Sequence, residues 1–457
     1  MNLMPITESP RAVARSTSTS STTVSATTSP PLPWRGLLAL SAAVFLSITG
    51  EMLPTGLLPE MSGTLGVGEP LVGLLVSVFA FTVVVTSAPL TALTQRMPRR
   101  TLLVGVLVVL AVTTAVCAIA PEYWMLVAAR IVGGIAHGLF WALVGAYAAR
   151  LVPESQIGRS VSIVLGGGTL ALILGVPAST ALGQAIGWRA VFGLVAALTL
   201  AGAVLVWWAL RSSERRTASA ARAVADTGRA GERAADAAPE ASARPAGAPS
   251  AVTRARPSTG AAAVLLVCAV TAITMIGQYA ALTYVAPIIT DVVGAPSTWV
   301  APLLFVSGIA GAAGLVVAGS PIARRANRAM LAAMAVVGVS LVVLSLSPGL
   351  WPAVIAFAVW GFGFGAIPPL LQTRLLQAAD PAKRDAASAL YTTAFNVGIG
   401  GGALVGGVLF DAFGVEVLPA AFAILLLIAG TVVAVSAVRA GQPRTASAAG
   451  PVRPSAT

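Results

Sequence analysis

Apolar positions in this chain run in long unbroken stretches and do not alternate with polar ones. Twelve stretches of about 20 residues can be marked off, the length that carries a helix across a hydrocarbon layer. They fall near 37–58, 70–93, 101–120, 124–149, 160–186 and 190–210, and then near 261–289, 299–319, 329–347, 350–373, 386–410 and 416–438. Between the sixth and seventh lies the one long polar break. It is rich in Ala, Arg, Pro, Gly and Ser and lacks apolar periodicity, which predicts a flexible linker over 212–259. The pattern predicts an all-α membrane protein of two six-helix bundles, 36–211 and 260–439. Polar tails at 1–35 and 440–457 flank them, the first too poor in apolar residues to be a signal peptide.

Composition agrees. Only 10% of the 457 residues are charged and 57% are hydrophobic, against roughly 25% charged in a soluble chain. The net charge of +12 could suggest nucleic acid, but its placement points to membrane orientation. Arg11, Arg15 and Arg35, then Arg96, Arg99 and Arg100, Arg150 and Arg159, the 211–259 segment, Arg324, Arg325 and Arg328, Arg374, Lys383 and Arg384, and the C-terminal arginines occupy alternate loops. The opposite loops hold Glu60, Glu69, Glu122, Asp291, Asp411 and Glu416, with Arg189 as their base. Basic loops mark the cytoplasmic side, so both termini are expected there, in the plasma membrane. Nucleic acid is not an expected partner. Cys117 and Cys268 both fall in apolar runs, which implies neither a disulfide framework nor a metal site.

The halves echo each other. Arg150-Leu-Val-Pro-Glu…Gly168…Gly175…Gly187 runs beside Arg374-Leu-Leu-Gln-Ala…Gly402…Gly406…Gly414, and Pro89…Arg96-Met-Pro-Arg-Arg100 has a degraded echo in Pro321-Ile-Ala-Arg-Arg325. A two-fold repeat of six spans is how one large class of secondary transporters is built.

One acid stands inside the first run. An ionised Glu51 would cost about 2.5–3.5 kcal/mol on insertion scales, and it lies about 5 Å outside the span midpoint at 1.5 Å per residue. Arg130, about 9 Å into the fourth span by the same rise, is the expected partner. His137, the chain's one histidine, lies seven residues on and shares Arg130's helix face. Imidazole titrates near neutral pH, so a relay from Glu51 past Arg130 to His137 is one reading. A static packing pair, and a neutral His137 bonded against Trp141 and Tyr147, are the plainer alternatives. Gly175, Ser179 and Gly183, like Gly398, Gly402 and Gly406, recur every four residues and predict close helix packing, as seams able to rock, with Pro177 as a kink. In the second half no charge is buried. Gln278, Tyr279, Tyr284, Trp360 and Asn396, with Trp141 and Tyr147 of the first half, are the candidates to line a cavity for an organic solute. No Gly-x-x-x-x-Gly-Lys-Ser/Thr loop, Cys/His cluster or Ser/His/Asp set is present, so no enzyme, metal or ATP-driven reading is expected.

Four stretches carry a resemblance. Gly50-Glu-Met-Leu-Pro-Thr-Gly-Leu-Leu-Pro-Glu60, Ala88-Pro-Leu-Thr-Ala-Leu-Thr-Gln-Arg-Met-Pro-Arg-Arg100, Ala129-Arg-Ile-Val-Gly-Gly-Ile-Ala-His-Gly-Leu-Phe-Trp141 and Leu174-Gly-Val-Pro-Ala-Ser-Thr-Ala-Leu-Gly183 resemble, in order, motifs of the twelve-span drug:H+ antiporters of the major facilitator superfamily. The likeness is to the branch holding arabinose/sugar efflux and chloramphenicol-resistance proteins, and it spans about residues 36–440. Two departures are visible: the loop motif lacks its usual Asp, with Gln95 and Arg96 nearby, and Val176 splits the usual Gly-Pro pair. The resemblance implies cavity-lining first and fourth spans, a proton role for Arg130, and export of a small organic molecule driven by the proton gradient, with no cofactor. The expected partners are the cargo, protons and the lipid bilayer, with the chain a monomer. Efflux of sugars or other metabolites is the alternative, followed by uptake and by a membrane sensor dependent on the 211–259 segment.

Overall fold

Inside a bilayer each backbone N–H and C=O must find its partner within the protein, and a helix does this locally. In the computed structural model, which describes residues 32–153, 156–235, 260–320, 326–347 and 349–441, twelve helices are long and apolar enough to cross a membrane. In the first half they are α1 (Trp34–Gly56), α2 (Glu69–Leu93), α3 (Arg99–Ile119), α4 (Tyr123–Arg150), α5 (Ile157–Ile186) and α6 (Trp188–Ala235). In the second half they are α7 (Gly260–Leu282), α8 (Val300–Ala318), α9 (Ala326–Ser345), α10 (Leu350–Ala378), α11 (Arg384–Phe413) and α12 (Val417–Gly441).

The first helix of each half breaks at the end where the acidic loops lie. Helix α1 stops after Gly56, where Pro54 has already removed a backbone donor, and a short helix, Leu58–Leu65, follows. The seventh apolar run, expected as one span over 261–289, also divides: α7 stops at Leu282, Tyr284 leaves helical geometry, and Val285–Pro287 leads into a π-turn at Ile288–Val292. A second π-turn, Ala171–Gly175, sits inside α5 just ahead of Pro177. The widened turn accommodates the proline ring, which would otherwise press on the carbonyl four residues back.

The expected linker is shorter than the composition suggested. Helix α6 runs on to Ala235, because residues 212–235 are dominated by alanine with Arg and Glu, all strong helix formers. The remainder, 236–259, lies outside the described residues, as do 1–31 and 442–457 of the two tails.

Packing repeats the sequence echo. In the first half α1 packs on α5 and α6, α2 on α4, and α3 on α4 and α6. Adding six to every number gives the pairs of the second half: α7 on α11 and α12, α8 on α10, and α9 on α10 and α12. The halves meet where α2 packs on α11 and α5 on α8, again a pair that exchanges under the same shift. At the acidic-loop end Gln184 Nε2 donates to Ser297 O across the halves at 2.9 Å, and Tyr284 Oη lies 3.5 Å from Pro70 O.

The four-residue glycine stripes sit inside the halves, which corrects their expected role as rocking seams. A side chain on Gly175 would meet Thr49, and one on Gly183 would meet Leu57, both of the α1 segment; Gly398, Gly402 and Gly406 press on Met275, Ile276 and Ala280 of α7. Ser179, on the same stripe, is buried. These residues let the first and fifth helices of each half approach closely, so they tighten a bundle. Other glycines sit between the halves: Gly308 against Leu172 and Ile173, and Gly400 against Ala80 and Phe81.

A methyl on Gly402 would stand 2.5 Å from Ile276 O and 2.8 Å from Tyr279 Cβ, whereas one on Gly145 would meet nothing within 4 Å. Gly402→Ala is therefore expected to destabilise the detergent-solubilised protein by about 1–3 kcal/mol, read as a lower thermal melting midpoint. Gly145→Ala should leave the midpoint unchanged or raise it.

Candidate functional site

The site is assembled from two helix faces. On α1, Ser47 and Glu51 are four residues apart and point the same way, towards α4. On α4, Arg130, His137 and Trp141 recur at seven and four residues and share one side. Gly134 lies between them, and a Cβ there would stand 2.8 Å from Phe79 O, so only glycine lets α2 approach this closely. That approach places the Phe79 ring 4.7 Å from Arg130 Cζ and 5.0 Å from the His137 ring.

Glu51, Arg130 and His137 are 8, 5 and 2% exposed. Their pairing differs from the expected one. Arg130 binds backbone: Nη1 donates to Gly50 O at 3.1 Å and Nη2 to Glu51 O at 2.6 Å. The reason lies in the sequence of α1. Pro54 has no N–H to give the carbonyl four residues back, so Gly50 O is left without its helical donor, and the guanidinium fork supplies one. The carboxyl of Glu51 instead faces His137, Oε2 to Nε2 at 3.3 Å. Arg130 thus brackets the acid's backbone, and the acid's own partner is the imidazole directly.

The imidazole is held at both nitrogens. Trp141 Nε1 donates to His137 Nε2 at 2.7 Å, and Ser47 Oγ lies 2.9 Å from Nδ1. An indole N–H is a donor only, so Nε2 carries a lone pair, and the neutral ring bears its hydrogen on Nδ1 and donates it to Ser47. Beside this group is a cavity of about 20 Å³ bordered by Ser47, Glu51, Thr113, Cys117 and Arg130, room for about one water. Arg130 Nε, buried, has no hydrogen-bond partner among the described residues.

A second cavity, of about 410 Å³, lies between the halves, with walls from α1, α4, α5, α7, α8, α10 and α11. Its volume suits a drug-sized ligand. It contains no charged lining residue; Ile48, Met52, Phe357, Phe364 and Phe395 are among its apolar walls, and Thr55, Thr169, Ser307, Gln278 and Tyr279 its polar points. Trp360 Nε1 donates to Gln278 Oε1 at 2.8 Å, which fixes the amide's orientation and leaves its NH2 group without a partner among the described residues.

Of the residues expected at the cavity, Trp141, Gln278, Tyr279 and Trp360 line it. Tyr284 does not: its hydroxyl donates to Ala403 O at 3.0 Å, and the ring is buried at the acidic-loop end where α7 breaks. Asn396 turns back on its own helix, Nδ2 to Thr392 O at 3.0 Å, while its neighbour Phe395 reaches the cavity. Tyr147 is buried and lines neither cavity. In the loop motif Pro89 and Arg96 are exposed, Arg99 opens α3, and Arg100 stacks on Trp207 of α6, Cζ to centroid 4.1 Å, so the motif clamps α3 to α6 at the basic-loop end. Ser47 and Phe79 escaped the sequence reading. Ser47 stands one turn before Glu51, which was a usable signal; Phe79 in an apolar run gave none.

The family model described as Major Facilitator Superfamily matches residues 40–399 and again 327–456. A protein of Mycobacterium tuberculosis (strain H37Rv) named as a chloramphenicol efflux pump is 33% identical over 414 residues, 86% of this chain and 91% of that protein. A Helicobacter pylori (strain P12) protein named "Probable sugar efflux transporter" is 26% identical, over 83% of this chain and 89% of its own. Among solved structures, a bacterial homologue of the human lysosomal transporter Spinster, inward-facing and occupied, superposes with a TM-score of 0.66 at 16% identity, covering 90% of this chain and 98% of that one.

The bracket on α1 can be separated from charge pairing. Arg130→Lys keeps the charge but cannot reach both carbonyls as a planar fork does, and should lower the melting midpoint by the equivalent of about 2 kcal/mol. Glu51→Gln, which keeps the Glu51 carbonyl, should melt at or above the wild type. A carboxylate–guanidinium pair would give the opposite order.

Proposed function

We propose that this chain, which belongs to the major facilitator superfamily, is a proton-coupled exporter of small, uncharged organic molecules of the chloramphenicol class. The observation that carries this is the adjacency of two unlike chambers: a buried acid–imidazole pair and, across α1, a large uncharged cavity between the halves. The first suits a proton and the second an apolar solute with a few hydrogen-bonding groups.

Helix α1 belongs to both. Ser47 and Glu51 border the proton chamber, while Ile48, Met52 and Thr55 border the cargo cavity. A shift of α1 that follows the charge state of Glu51 therefore reshapes the cargo cavity as well. The basic loops would face the cytoplasm of a bacterial plasma membrane, protons would enter by way of Glu51 and His137, and cargo would leave as the halves rock about the α2–α11 and α5–α8 contacts. About 2.3 kcal/mol is available per charge per 100 mV, enough for roughly a 50-fold gradient of neutral solute per proton.

Sugar efflux, suggested by the second relative's name, fits the cavity less well. Each sugar hydroxyl left without a partner on burial costs about 1–3 kcal/mol, and most of the cavity wall is apolar.

In a susceptible bacterium, expression should lower chloramphenicol accumulation, and an uncoupler should restore it to the empty-vector level. Accumulation equal to the empty vector without uncoupler, for chloramphenicol and for other uncharged drugs, would remove the drug-export reading. In proteoliposomes under an imposed pH gradient, Glu51→Gln should abolish uphill transport, by at least about tenfold on the loss of one titrating carboxyl. Undiminished uphill transport would remove Glu51 as the carrier.

A further inference from the structure

Trp141 stands between the two chambers. Its indole N–H is bonded to the imidazole of the proton site, and the same side chain lines the cargo cavity. We propose that Trp141 is the residue that makes proton loading and cargo occupancy exclude one another, a positioning role that rests on the export reading above.

His137 Nε2 has one in-plane lone pair, and an indole N–H can only donate. While Trp141 is bonded at 2.7 Å, Nε2 is unprotonated. Glu51 Oε2, 3.3 Å from the same nitrogen, then sits well only as a carboxylic acid that shares Nε2 as acceptor. Transfer of that proton breaks the O–H bond of Glu51 and forms N–H at Nε2, and a second proton taken up from water re-forms the O–H of Glu51, so the pair gains one proton and His137 becomes an imidazolium. The imidazolium now presents an N–H to the indole N–H. Two donors at that separation repel, and the indole must leave.

The direction it takes follows from its surroundings. His137 and Phe140 pack edge-on against it on its own helix, at ring separations of 6.1 and 6.3 Å, and the open side is the 410 Å³ cavity. A released indole therefore turns into the space that cargo would occupy. Protonated His137 and bound cargo compete, which is the sign an antiporter needs.

Few other groups can titrate here. Facing the pair are Arg130 from α4 itself, Cys117 from α3 on the small cavity, and Tyr279 from α7 on the large one. Helix α2 presents Phe79, and α5 presents Gly168 and Thr169 to the large cavity. None of these supplies a second acid.

The full-length protein in lipid nanodiscs allows a test that needs no cargo. With 15N-labelled tryptophan, the Trp141 indole signal is identified among nine by its loss in Trp141→Phe. It should move on acidification as its hydrogen bond is lost, and stay fixed in His137→Gln, which keeps an acceptor but takes no proton. With 15N-labelled histidine, the single His137 ring reports its own tautomer: Nε2 unprotonated in alkali, protonated in step with the Trp141 signal. This second label serves where His137→Gln does not fold. An indole signal indifferent to pH, one that moves equally in His137→Gln, or an Nε2–H tautomer in alkali would each overturn the proposal. Added chloramphenicol should move the transition to lower pH. If the indole and the imidazole titrate together while chloramphenicol leaves them unmoved, the switch stands and the cargo assignment falls.

Discussion

A carboxyl group at membrane depth has to be neutral or matched, and the first half of this protein is organised around that requirement. Glu51 is buried where α1 is about to end, three residues before a proline that strips its helix of a donor. Two needs arise there, a donor for an orphaned carbonyl and a partner for the acid. One helix, α4, meets both from one face, with the guanidinium of Arg130 for the backbone and the imidazole of His137 for the side chain. Gly134 and the ring of Phe79 close the remaining side. The division of labour matters physically. The guanidinium's hydrogen bonds go to the backbone of α1, and the carboxyl oxygen is left facing the imidazole.

Function follows from where this arrangement sits in the fold. Each half is tightened by a stripe of small residues between its first and fifth helices, and the contacts between halves are made by other pairs of helices. The larger cavity lies between the halves, whereas the acid–imidazole pair belongs to the first half alone. For the proposed export, coupling needs an element that touches both chambers. Helix α1 does so with neighbouring faces, and Trp141 does so with one side chain, bonded to His137 and lining the larger cavity.

Much of this was legible beforehand. Twelve apolar runs became twelve helices, and the weak echo between Arg150–Gly187 and Arg374–Gly414 became a packing scheme that repeats under a shift of six. Depth counting placed Glu51 level with Arg130 and His137 two turns further in on the same face, and the structure brings all three together. What depth cannot give is rotation: whether α1 turns its carbonyls or its carboxyl towards Arg130 depends on the tertiary contact, and so the acid's partner was misassigned. Tyr284 and Asn396 failed as cavity residues for the same reason, since polarity in an apolar run marks a need for a hydrogen bond but not whether protein or cargo meets it. The break at Tyr284 and the helical continuation past Arg211 are local choices, one imposed by packing at the acidic-loop end and the other by a run of alanines.

The central claim is that the Glu51 carboxyl carries an exchangeable proton beside His137. Infrared difference spectroscopy of the wild type against Glu51→Gln, in hydrated lipid across a range of pH, reads that group directly. The account predicts a protonated-carboxyl stretch, absent from the variant, that gives way to carboxylate bands as the pH is raised. A group that stays ionised, or stays protonated, at every pH would contradict it.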